Sequence, residues 1–202
     1  MHDEILTKEQ KDLLPYLKEF SNDFGLVGGT AVALYIGHRR SIDFDLFTLK
    51  PLNSEGIKTK LRKNFSIEHE YVDQEIEYKI RIKGVKITFY SYRFPIEFPV
   101  LFSDLHIADL LTIAAMKAHA LGGRAKWKDY VDLFFIMRQY HSLEEISAKA
   151  YELFKGEHNE KLFRQRLALF FDINYDESVE FMSGFEVEEQ VIKEYLKDAG
   201  LT

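Results

Sequence analysis

Leu26-Val27-Gly28-Gly29-Thr30-Ala31-Val32-Ala33-Leu34-Tyr35-Ile36-Gly37-His38-Arg39-Arg40-Ser41-Ile42-Asp43-Phe44-Asp45-Leu46-Phe47 is the stretch on which the fold turns. It predicts a short strand, a glycine turn, a helix from about Thr30, a basic loop and a second strand bearing two carboxylates. Gly28 and Gly29 lack a Cβ, so a phosphate can approach the backbone closely there. The helix that follows points its free N–H groups and positive dipole end at an anion over that turn. Asp43 and Asp45 lie two apart on an extended segment and leave the same face. Such a pair of hard oxygen donors suits Mg²⁺ (or Mn²⁺), which commonly takes one or two carboxylates plus substrate phosphates. A lone Gly-Gly is usually only a turn, and a lone Asp-x-Asp only a solvated polar face. Together, with thirteen residues between Gly29 and Asp43, they predict an NTP site: triphosphate over Gly28, Gly29 and Thr30, metal on Asp43 and Asp45.

The residues just before the dyad extend that expectation. Arg39 and Arg40 have planar forks suited to clamping a phosphate or an acceptor. His38 either joins them or is structural. Ser41 either ligates the metal or ties down the loop.

Val27-Gly28-Gly29 followed by Asp43-Phe44-Asp45-Leu46 resembles the signature of the DNA polymerase β-type nucleotidyltransferase superfamily. The fuller string, Gly-Gly-Thr-Ala and then Gly-His-Arg-Arg-Ser-Ile-Asp-Phe-Asp-Leu-Phe, resembles the AbiEii/AbiGii abortive-infection toxins, nucleotidyltransferases of toxin–antitoxin systems. The resemblance implies transfer of a nucleoside monophosphate from an NTP to RNA, tRNA first, or to a protein hydroxyl. It also implies a cognate antitoxin as partner.

The same resemblance changes the reading of two helical segments. By itself, Lys117 in Thr-Ile-Ala-Ala-Met-Lys-Ala-His-Ala-Leu is a snorkelling lysine at the edge of a buried face, and Lys128 with Asp132 is a surface pair at helical spacing. Family members carry Ala-x-Lys and then Arg-x-Lys-x-x-Asp-x-x-Asp-Leu, matched here by Ala115-Met116-Lys117, Arg124, Lys128-Asp129 and Asp132-Leu133. By that correspondence Lys117 and Lys128 contact the nucleotide, Asp129 orients them, and Asp132 holds the lobes together. One position departs from the pattern. The superfamily usually places a third carboxylate on a later strand, and the segment Val85–Tyr90 offers Thr88 or Lys86 instead. Glu68, Glu70, Asp73 and Glu77 lie on neighbouring strands as substitutes. A catalytically reduced NTP-binding protein, or an antitoxin-interaction protein of the same fold, is therefore the competing reading.

The remainder of the chain sets bounds. Its 202 residues suit one large domain or two lobes, and 46% apolar with 30% charged residues describes an ordinary globular composition. The absence of cysteine excludes disulfides, a thiol nucleophile and Cys-ligated zinc. A net charge of −6 argues against a double-stranded-DNA surface. No signal-peptide pattern or membrane-length apolar run is visible, so cytoplasmic residence is the expectation. A helix is expected over Thr7–Phe20, another from Asn53 or Ser54 to Asn64, and strands over Ser66–Asp73, Ile76–Ile82 and Val85–Tyr92, the last two joined at Lys83-Gly84. From about Ser103 every strong pattern is helical. The expected class is α+β: a polymerase β-like lobe over residues 1–100, with a mixed sheet of about five strands and flanking helices, and a helical lobe over 101–202. No motif is visible after residue 141.

Overall fold

Thr7 begins the first helix with a capping box: its hydroxyl accepts from the Gln10 N–H while the Gln10 side chain accepts from the Thr7 N–H. The computed structural model describes residues 1–170 and 172–202. In chain order the elements are α1 (Lys8–Leu17), β1 (Gly25–Val27), α2 (Gly28–Ile36), β2 (Asp43–Thr48), α3 (Ser54–Leu61), β3 (His69–Asp73), β4 (Glu77–Ile82) and β5 (Val85–Ser91). They continue with β6 (Val100–Phe102), β7 (Leu105–Ile107), α4 (Leu110–Gly123), α5 (Trp127–Gln139), α6 (Leu143–Phe154), α7 (Glu160–Leu169) and α8 (Glu189–Leu201). Pro15 is tolerated inside α1, which passes into a 3₁₀ turn at Lys18–Phe20.

The chain groups into two compact units, residues 3–31 with 41–109, and residues 32–40 with 110–202. The expected break near residue 100 thus falls at Asp109, and a short piece of the N-terminal half groups with the helices. The later break reflects two unforeseen strands. β6 and β7 have three residues each, too few for alternation to register in sequence. Their turn puts Ser103 and Asp104 at φ 47° and 64°, and β7 pairs in parallel with β1 at Leu26↔Ile107.

The first unit is built on a seven-stranded mixed sheet of order β3-β4-β5-β2-β1-β7-β6. β2 is antiparallel to β1 and parallel to β5, with Asp45 opposite Val27 on one side and Thr88 on the other. Strand alternation divides β2 cleanly. Phe44, Leu46 and Thr48 are buried, while Asp43, Asp45 and Phe47 are half-buried on the opposite face. The buried side is shared by Leu26, Tyr78, Ile80, Ile87 and Phe89. Phe20 packs edge-on against Phe89 at 5.1 Å, and Lys58 of α3 lies over the Tyr78 ring at 5.2 Å. Burying each such apolar side chain contributes about 1.5–3 kcal/mol. Lys83 and Gly84, at φ 50° and 75°, make the expected hairpin turn between β4 and β5.

The second unit is helical. α5 is buried nearly all round, through Trp127, Tyr130, Val131, Leu133, Phe134, Phe135 and Ile136, which marks it as a central helix. Asp129 and Asp132 are buried in the same helix, so their charges require partners. Ser142 and Glu145 cap α6 reciprocally. Among the described residues no helix is long and apolar enough to cross a membrane.

Candidate active site

In the first unit, the end of β1 delivers Gly28 directly to the Asp45 carboxylate. Gly28 has φ 74°, and a Cβ added there would stand 2.2 Å from Asp45 Oδ2. Only glycine satisfies both conditions, a left-handed backbone and the space for a carboxylate. α2 begins at that glycine, two residues earlier than expected, so its unpaired N–H groups open beside the dyad. Thr30, in the first turn, donates to the Asp43 carbonyl, and its Oγ1 is 2.9 Å from Ser41 Oγ. That contact ties Ser41 to the first turn of α2.

Asp43 and Asp45 share one face of β2, as their spacing requires. Lys86, opposite Asp43 on β5, brings Nζ to 3.8 Å from Asp43 Oδ2. The position opposite Asp45 is Thr88. The acids considered as a third ligand are engaged elsewhere. Glu70 and Asp73 pair with Lys58, at 3.5 and 2.5 Å. Glu68 accepts from the Gly84 N–H at 3.1 Å. Glu77 reaches the dyad's face only across β5, level with Tyr90, and pairs with Lys79 at 2.5 Å. Among the described residues no group of three acidic or histidine side chains is placed to hold a metal ion. Two carboxylates beside a Cβ-free corner nevertheless fit Mg²⁺, which completes its shell with water and phosphate oxygens.

His38, Arg39, Lys117, Asp129 and Asp132, also singled out by sequence, lie in the second unit, in a buried charge cluster centred on Asp132. Both Asp132 oxygens are doubly engaged. Oδ1 lies 2.7 Å from His38 Nε2 and accepts from Arg39 Nε at 2.7 Å. Oδ2 accepts from Arg39 Nη2 at 2.8 Å and lies 2.8 Å from Lys117 Nζ. Lys117 also donates to Asp129 Oδ1 at 2.6 Å. Two cations thus meet two carboxylates, with a neutral His38 beside them. Burial opposes the charge of Asp132, but Arg39 and Lys117 outweigh it and hold its pKa well below the usual value. Burial likewise opposes charge on Lys117 and Arg39, and the aspartates outweigh it, so both pKa values are raised. For His38 burial prevails and its pKa falls, consistent with the unpartnered Nδ1.

This placement corrects one expectation and redirects two. Arg39 does not present a phosphate clamp: it is 1% exposed, bidentate to Asp132, and donates its remaining contact to the Arg40 carbonyl at 2.9 Å. His38 takes its structural reading. Asp132 was expected to tie the lobes; the partners it shows are His38, Arg39 and Lys117, all of the second unit.

Arg40 and Lys128 meet two acids of the irregular segment after α7, which sequence reading passed over. Arg40 Nε is 2.9 Å from Glu180, and Lys128 Nζ is 3.3 Å from Glu177, which Lys126 also holds at 2.7 Å. Partial burial would raise the Glu177 pKa, but Lys126 and Lys128 pull it down to about 2. Backbone hydrogen bonds fasten this irregular segment: Asn174 N–H to the Ala125 carbonyl, Arg40 N–H to Glu180, and Met182 N–H to His38. A cluster of acids at 176–180 was the available signal, but Arg40 and Glu180 are 140 positions apart.

Known proteins resemble this chain in sequence and in fold. A family model described as the nucleotidyl transferase AbiEii toxin of type IV toxin–antitoxin systems matches residues 13–198. An uncharacterised protein of Aquifex aeolicus (strain VF5) is 37% identical over 157 residues, covering 72% of this chain and 76% of that one. Two solved structures share the fold. JHP933 from Helicobacter pylori gives a TM-score of 0.60 at 18% identity, covering 97% of this chain and 92% of that one. MenT4, a nucleotidyltransferase toxin from Mycobacterium tuberculosis, gives 0.61 at 12% identity, covering 94% and 80%.

Proposed function

Because the chain belongs to the AbiEii nucleotidyl transferase toxin family of type IV toxin–antitoxin systems, we propose that it transfers a nucleoside monophosphate from an NTP to an acceptor hydroxyl, on RNA such as tRNA or on a protein. The observation that carries this reading is the meeting of the Gly28 corner with the Asp45 carboxylate. Asp43 and Asp45 would hold Mg²⁺ or Mn²⁺. Bound there, the ion supplies charge neutralisation on the triphosphate and on the attacking oxygen.

The chain's own contribution is placement. The Gly28-Gly29 turn admits the triphosphate, and the first N–H groups of α2 donate to its oxygens. Thr30 and Ser41 fix the loop that leads into Asp43. In the helical unit Lys117 is kept protonated by Asp129 and Asp132, and Arg40 and Lys128 of the same unit pair with Glu180 and Glu177. The acceptor hydroxyl oxygen bonds to the α-phosphorus, the bond from that phosphorus to the bridging oxygen breaks, and pyrophosphate leaves with the electron pair. The hydroxyl proton passes to water. Positioning and charge compensation do the rest. A cognate antitoxin is the proposed protein partner.

The test is incubation with each labelled NTP, Mg²⁺ and total tRNA, followed by a search for label on RNA and on protein. Wild type is expected to label one acceptor. Asp43→Asn and Asp45→Asn are expected to lose at least about a hundredfold in rate with their melting temperature retained. Thr88 and Lys86, standing where a third carboxylate would be, favour one second reading: an NTP-binding protein without transfer. That reading requires NTP to raise the melting temperature while no pyrophosphate is released with any acceptor.

A further inference from the structure

Beyond the dyad, the same face of the sheet carries an aromatic surface that the proposed reaction has not yet used. Phe47 follows Asp45 by two positions on β2 and lies opposite Tyr90 of β5. Their ring centroids are 5.0 Å apart, and Tyr92 closes the group at 5.1 Å from Phe47 and 6.1 Å from Tyr90. Phe94 continues it at 5.4 Å from Tyr92. All four rings are half-buried. A core cluster would be fully buried, as Phe44 and Phe89 are on the other side of the same strands. Gly25, opposite Phe47 on β1, leaves room for the half-buried Phe98 ring, which comes within 2.0 Å of where a Cβ would be.

From these positions we infer that Phe47, Tyr90 and Tyr92 form a stacking platform for the terminal base of a single-stranded RNA acceptor. The inference rests on the nucleotidyl-transfer reading given above. Its warrant is the order of parts along β2. β1 runs antiparallel to β2 with Val27 beside Asp45. The Gly28–Thr30 turn therefore lies toward the Asp43 end, where Thr30 bonds to the Asp43 carbonyl. The rings lie toward the opposite end, about 7 Å beyond Asp45 at the rise of an extended strand, a span of one nucleotide. Phosphoryl transfer keeps attacking and leaving oxygens roughly in line. With pyrophosphate leaving over the glycine turn, the attacking hydroxyl must come from the other side of the dyad, which is the side of the rings.

The cations nearest the rings are Arg93, over the Phe94 ring at 4.6 Å, and Lys79, opposite Thr88, 31% exposed and paired with Glu77, which is itself level with Tyr90; Lys86 stands at the Asp43 end. Aromatic rings next to cations are the usual means of holding single-stranded nucleic acid with little base preference.

The experiment compares two affinities on the intact chain. One is for a single-stranded RNA hexamer, by fluorescence anisotropy at low salt; the other is for NTP with Mg²⁺, by calorimetry. Phe47→Leu and Tyr90→Leu, which keep apolar bulk but remove the ring, are expected to weaken RNA binding about tenfold each and to leave NTP affinity within about twofold. A hexamer with an abasic 3′ nucleotide should lose the same factor against wild type, and this arm needs no altered protein. Equal affinity for abasic and intact RNA overturns the platform, as does a parallel loss of NTP affinity in the ring variants. Labelling of a protein instead of RNA overturns it too. If wild type binds no NTP, the transfer reading itself fails. If NTP binds and is transferred but the rings are indifferent to RNA, only the platform fails.

Discussion

At the scale of single residues, Asp132 carries the heaviest duty in the helical unit. It is fully buried, and its two oxygens meet Arg39, Lys117 and His38. Asp132→Ala would strand two buried cations, so a loss of about 3–5 kcal/mol is expected, read by urea unfolding; a loss below about 1 kcal/mol would contradict the buried-cluster account. Gly28 carries the corresponding duty in the strand unit. Gly28→Ala is expected to destabilise by about 1–2 kcal/mol, from a left-handed backbone alone, and to abolish NTP binding, because the methyl group displaces the Asp45 carboxylate. Retained NTP affinity in that variant would show that the corner is not part of the site.

At the scale of elements, the register of β5 on β2 decides which side chains can join the dyad. Sequence alternation identified Asp43 and Asp45 as one face but left Lys86 and Thr88 as unresolved candidates for the vacant ligand position. Pairing places Thr88 opposite Asp45, and that register rests on hydrogen bonds between strands some forty positions apart. A carboxylate restored there should behave as a metal ligand. Thr88→Asp is expected to lower the melting temperature in chelator, because it sets like charges side by side, and to recover it on adding Mg²⁺. A melting temperature indifferent to Mg²⁺ would place residue 88 outside the metal's reach. The long helices were legible because they show apolar residues at helical spacing, two of them behind a capping box at Thr7 or Ser142. β6 and β7 were not, because three residues cannot display a period.

For the whole molecule, acid is the expected weak point. Burial depresses the His38 pKa below its usual 6.5, so below that value the unfolded chain takes up a proton that the folded one refuses. Asp132, held well below 3.8, adds a second loss of the same sign: below 3.8 the unfolded carboxyl is protonated first. Stability should therefore fall with acidification in two stages, the first beginning near pH 6.5. Urea melts at about pH 7.5 and about pH 5.5 read the first stage, and His38→Gln, which can still donate to Asp132, should flatten it. An unchanged pH dependence in that variant would locate the titration elsewhere. The same global view explains residues 174–182. They show no motif, yet they supply Glu177 and Glu180 to Lys126, Lys128 and Arg40.

The sequence by itself determined the class of fold, the glycine turn, and the shared face of Asp43 and Asp45, because these depend on backbone periodicity and on neighbours within about twenty residues. Tertiary structure alone decided that Arg39 is buried on Asp132 and that Glu180 answers Arg40. It also decided that Thr88 stands beside Asp45 and that three aromatic rings share the dyad's face. Each of those is a contact between distant segments, and a burial cost or charge balance is settled only when both partners have been brought out of water together.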